Sequence, residues 1–103
     1  MISIILTTFP SIEVARATVR TLVEERLVAC GNIVPGVESI YRWQGVVETS
    51  QEVLVIFKTS AESAAAAQAR LRTLHPYEVP EILLLPAGGG WPPYLDWVRE
   101  QTR

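Results

Sequence analysis

The stretch from Asn32 to Gln44, NIVPGVESIYRWQ, is a pattern that suits one long extended strand. Ile33, Pro35, Val37, Ser39, Tyr41 and Trp43 fall on one face by simple alternation. Asn32, Val34, Gly36, Glu38, Ile40, Arg42 and Gln44 fall on the other. At ~3.3 Å per residue such a strand is about 43 Å long. A compact domain of this size has a diameter of roughly 34 Å. The strand therefore bends, at Pro35-Gly36, or it projects from its own domain. A projecting ribbon that carries aromatic side chains needs a second chain to cover it, because bare edges and apolar patches invite pairing. Oligomerisation is the first expectation.

The flanking segments supply the rest of a fold. Ile2 to Thr8 is β-branched and apolar and reads as a buried strand. Pro10-Ser11 stops it, and Ser11 caps a helix whose apolar stripe (Ile12, Ala15, Val19, Leu22, Val23, Leu27) runs to about Leu27. After the long strand, Gln44-Gly45 is a turn signal and Val47 to Thr59 returns. Val53, Val55 and Phe57 share one face of this return; Glu52, Leu54, Ile56 and Lys58 share the other. Ser60 is placed to cap a second helix over 61–74, with Ala64, Ala67, Leu71 and Leu74 inward. His75-Pro76 ends it. Val79 to Pro86 is apolar enough for a central strand, and Pro92-Pro93 opens a terminal helix with Tyr94, Trp97 and Val98 turned inward. The order β-α-β-β-α-β plus a helix predicts an α+β, ferredoxin-like fold, a single domain over residues 1–103 with both main helices on one face of an antiparallel sheet.

Composition then removes whole classes of function. A formal net charge of −2 with no basic run excludes a phosphate-backbone binder, so no nucleic acid is expected. No apolar run approaches the length of a bilayer span, and the first residues lack the basic start and cleavage site of a secretory leader. No membrane partner is expected. A single cysteine makes no intrachain disulfide, which suits a reducing cytoplasm. The glycines at 88–90 lack the frame of a phosphate loop, and no protease, kinase, zinc-finger or RNA-recognition signature is present.

Cys30 and His75 are the only residues of their kinds. A nucleophilic pair would need both, together with an orienting group and an oxyanion hole that the sequence does not display. Cys30 reads more simply as a small buried side chain after the first helix. His75 stands in HPYEVPE, whose prolines hold it near Tyr77, Glu78 and Glu81. Two readings stay open: a divalent-cation site made by His75, Glu78 and Glu81, or a positive imidazole capping the second helix. Lys58 either contacts an anionic ligand or buried carboxylate, or reaches past apolar neighbours to water. Tyr41 and Trp43 would stack a ligand ring or pack an oligomer interface.

Four strings in order, RLVACGNIVPGVESIYRWQG, EVLVIFKT, HPYEVPE and YLDW, resemble the CutA family of divalent-cation tolerance proteins over nearly the whole chain. The resemblance implies a homotrimer whose long hairpins pair between subunits, shaped like the PII signalling proteins. It implies a role in tolerance of copper and other divalent metals and an association with copper binding, with no catalysed reaction; no cofactor is expected to be required, and any metal is expected to bind weakly through His75 and nearby carboxylates. It also implies that Cys30, Tyr41, Trp43, Lys58 and Tyr77 line an inter-subunit cleft, with His75, Glu78 and Glu81 as the metal candidates. Some bacterial relatives carry a cysteine at the position of Thr7 and a histidine at that of Leu74, and of that metal-binding set only His75 is present here. The alternative role is a PII-like sensor that takes an anionic metabolite in the cleft through Lys58 and Trp43.

Overall fold

A computed structural model describes all 103 residues. The elements are β1 (Ile2–Phe9), α1 (Ile12–Glu24), β2 (Cys30–Trp43), β3 (Val46–Ser60), α2 (Ala64–Leu74), β4 (Leu83–Pro86) and α3 (Pro92–Gln101). The sheet is antiparallel in the order β2-β3-β1-β4, which is the ferredoxin-like arrangement expected.

One face of the sheet forms the core. Ile5, Phe9, Val53, Val55 and Phe57 meet Ala15 and Leu22 of α1 and Ala67 and Leu71 of α2, all buried. Alanines at these helix positions let α2 lie close to the strands. Thr7 lies on the same face, opposite Val55, fully buried, and its hydroxyl has no hydrogen-bond partner. An orphaned buried hydroxyl costs its desolvation without return. Thr7→Val is therefore expected to raise stability by about 1 kcal/mol, read as an upward shift in the melting midpoint.

Several expected details change. The first helix ends at Glu24 rather than near Leu27, because Arg26 adopts a left-handed φ of 60°. Arg26 N–H donates to the Val23 carbonyl and Leu27 N–H to that of Leu22, the pair of bonds that closes a helix when a left-handed residue follows it. The Arg26 guanidinium then donates to the carbonyls of Glu100 and Arg103, tying this corner to the end of the chain. Ser60 does not cap α2 itself. It accepts from Ser63 N–H across the turn that precedes the helix. The apolar β4 is an edge strand of four residues, not a central one: Leu83, Leu84 and Leu85 are all exposed. In α3 only Val98 is fully buried, against Ile2 and Ala29, while Tyr94 and Trp97 remain exposed.

The long strand both bends and projects. A bulge lies between Val34, opposite Leu54, and Val37, opposite Glu52, with Gly36 at φ 74°. The inserted residue reverses the side-chain alternation. Ile33 faces the helices, but Val37, Ser39, Tyr41 and Trp43 face the open side, so the six residues expected on one face are divided. Beyond the bulge the hairpin runs to a two-residue turn at Gln44 (φ 51°) and Gly45 (φ 82°), the double left-handed geometry favoured by the strand twist. The molecule measures 44 × 26 × 22 Å, and Ile40, Val46 and Val47 on the hairpin are more than half exposed.

Candidate functional site

The hairpin and the segment after α2 enclose a cleft of about 690 Å³. Counting back from the Gln44-Gly45 turn, the register sets Tyr41 opposite Glu48 and Ser39 opposite Ser50, all on the open face with Glu52. Ser50 Oγ donates to the Tyr41 hydroxyl at 3.4 Å. The opposite wall is Tyr77, Glu78, Val79 and Glu81, and Trp43 stands toward the turn. Tyr77 joins the walls: its O–H donates to Glu52 Oε2 at 2.6 Å. Burial, and then this bond to Glu52, push the Tyr77 phenol well above its usual range, so it stays a donor.

His75 lies behind the cleft rather than in it. Its ring is buried and stacked on Phe9, with centroids 4.5 Å apart and planes 13° apart. Nε2 is 2.8 Å from the Thr8 carbonyl oxygen, and Nδ1 is 3.2 Å from Tyr77 N. A carbonyl only accepts and a backbone N–H only donates, so Nε2 carries the proton and Nδ1 accepts. Burial, the largest influence, lowers the His75 pKa and favours this neutral form. Both nitrogens are thus committed within the protomer, and neither is free for a metal ion. The expected helix cap is also replaced, since the ring bonds β1 rather than the carbonyls ending α2. No group of three or more His, Cys, Asp or Glu side chains is placed to hold a metal ion, so His75, Glu78 and Glu81 do not converge.

Cys30 and Lys58 form a second location. They face each other across β2 and β3, six residues along β3 from Glu52, hence ~20 Å from the cleft. Lys58 Nζ donates to Asn32 Oδ1. Cys30 Sγ contacts the Tyr94 hydroxyl at 3.7 Å, and burial and this thiol push the Tyr94 phenol up to about 12. Of the eight residues picked out from the sequence, the cleft therefore gathers five: Tyr41, Trp43, Tyr77, Glu78 and Glu81. Glu48 and Glu52 were missed, although the hairpin turn fixes their register. No lysine or arginine lines the cleft, so the anionic-metabolite reading, which relied on Lys58, finds no counter-charge there.

Comparison with known proteins agrees over the whole fold. The family described as CutA1 divalent ion tolerance protein matches residues 3–101. The divalent-cation tolerance protein CutA of Thermus thermophilus is 53% identical over 102 residues, 99% of each chain. Protein CutA of mouse is 44% identical over 95 residues, and the match spans about half of that longer protein (54%) and 92% of this chain. The solved structure of the periplasmic divalent cation tolerance protein CutA from Archaeoglobus fulgidus superposes with a TM-score of 0.96 at 34% identity, over 100% of both chains.

Proposed function

The chain belongs to the CutA1 divalent ion tolerance family, and from that membership we propose that it acts in tolerance of divalent cations, copper among them, as a cytoplasmic homotrimer that binds cations weakly and catalyses no reaction. The family match over residues 3–101 is the observation that carries this reading. Weak binding is supported by the cleft: Glu48, Glu78 and Glu81 are exposed, Glu52 is taken by Tyr77, and the carboxylates do not converge, so an ion meets few ligands from one protomer. The absence of catalysis is supported by the separation of the lone thiol from the lone imidazole, since Cys30 meets Tyr94 while His75 meets Thr8 and Tyr77. No helix is long and apolar enough to cross a membrane, and a single free cysteine suits a reducing compartment. The trimer is supported by two unpaired sheet edges, β2 and β4, and by an open sheet face that shows Val34, Leu83 and Leu85 to solvent.

Calorimetric titration with copper(II) tests the cation reading. A weak, saturable isotherm is expected for the wild type, with affinity reduced roughly tenfold in the Glu78→Gln/Glu81→Gln double variant. Indistinguishable isotherms would remove these carboxylates from the account.

A further inference from the structure

Two residues away from the cleft depart from what their local positions favour. Arg26 holds a left-handed φ of 60°, a conformation that glycine adopts without strain. Ser63 stands at the N-cap of α2, yet its hydroxyl makes no capping bond. Both side chains turn instead to one place, the end of α3. Arg26 Nη2 donates to the Glu100 carbonyl at 3.1 Å, and Nε donates to the Arg103 main-chain oxygen at 3.2 Å. Ser63 Oγ donates to the Thr102 carbonyl at 3.1 Å. Thr102 is itself buried, with its hydroxyl 3.1 Å from Ser60 Oγ. The last carbonyls of a helix find no partner within it. Here a residue after α1 and another before α2 supply partners for them, and the arginine sets a positive charge where the helix dipole is negative.

The other end of α3 has no such fastening within its own chain. Three glycines, 88–90, lead into it, and its N-cap, Trp91, makes no side-chain capping bond. Val98 is its one buried apolar side chain, in a cluster of three with Ile2 and Ala29 that stands apart from the ten-residue main core. We infer that Arg26 and Ser63 form a latch on the end of the chain, and that α3 is a strap held closed by it. When the latch lets go, α3 swings on the glycines as one unit while the four strands stay paired. Release uncovers Ile2 and Ala29 and parts Tyr94 from Cys30. Every group of the latch belongs to one chain, so the strap goes beyond the cation reading and does not rest on it.

Hydrogen exchange of the assembled protein, read by mass spectrometry, tests the latch. In Arg26→Gly and in Ser63→Ala, amides over residues 92–103 are expected to exchange about tenfold faster than in wild type, with those of β1 and β3 unchanged. Arg26→Gly also decides a sign. Glycine relieves the left-handed backbone, so with idle guanidinium bonds this variant would melt higher and keep α3 protected. With a working latch the same variant melts lower. Ser63→Ala removes no helix cap, so its effect isolates the bond to Thr102. The latch is overturned by unchanged exchange over 92–103 in either variant, by faster exchange spread through all the strands, or by a raised melting midpoint in Arg26→Gly.

Discussion

His75→Ala is expected to destabilise the fold by about 3 kcal/mol, a larger effect than any substitution on the cleft surface. The ring fills a buried space against Phe9, so truncation leaves a cavity. It also strips the Thr8 carbonyl and Tyr77 N–H of their partners. The released Tyr77 would then hold Glu52 less firmly, and that wall of the cleft would loosen along with the fold. Urea unfolding at pH 7.5 measures the effect. A change under 1 kcal/mol would mean that these bonds are replaced by water at no net cost.

The same residue gives the protein an acid sensitivity. Its folded pKa lies below the unfolded value of 6.5, so the unfolded chain binds the proton first. The stabilisation is complete above pH 6.5 and is lost as the pH falls from there toward the lowered folded value. Protonation would place a second N–H at Nδ1, facing the N–H of Tyr77. Wild type should therefore lose stability between pH 7 and 5 more steeply than His75→Ala does, and parallel curves would assign the acid effect to other groups.

Leu85→Glu should convert the proposed trimer into a species of the chain mass, 11.4 kDa. Leu85 is 42% exposed on the open face of β4, opposite Ile4, so a glutamate there costs an isolated protomer little. In an assembly that covers this face, the same carboxylate is desolvated without a partner, a cost of several kcal/mol at each copy. Sedimentation velocity separates the outcomes. A variant that sediments as the wild type does would show that β4 lies outside the contact. Loss of the fold along with the assembly would show that the protomer depends on its neighbours for stability.

The features legible in the sequence were those set by local chemistry. Ser11 caps α1 with its side chain as its position suggests, accepting from Val14 N–H. The Gln44-Gly45 turn fixes the hairpin, and Pro35-Gly36 marks the bend. The consequence of that bend was not legible: a single inserted residue changes which face Tyr41 and Trp43 occupy, and only pairing with β3 reveals it. The end of α1 was hidden for a different reason. The left-handed position usually announces itself as glycine, but here an arginine occupies it, with its guanidinium held by carbonyls more than seventy residues away. The function of His75 was likewise set by distance along the chain, since its partner Thr8 lies 67 residues earlier. An apolar run did not distinguish the edge strand β4 from a central one, because Leu83, Leu84 and Leu85 are as apolar at this exposed edge as they would be in the middle of the sheet.

The two borders of the sheet are unequal, fourteen residues on β2 and four on β4. If the proposed trimer joins β2 of one copy to β4 of the next, the contact is head to tail, and such growth terminates only when the rotation between successive copies closes a circle. The kink at Gly36 changes the direction of the longer border, so it would bear on that rotation in the proposed trimer. In the proposed trimer, a variant that removes the extra residue of the bulge is expected to change how many copies complete the circle, which sedimentation velocity would read.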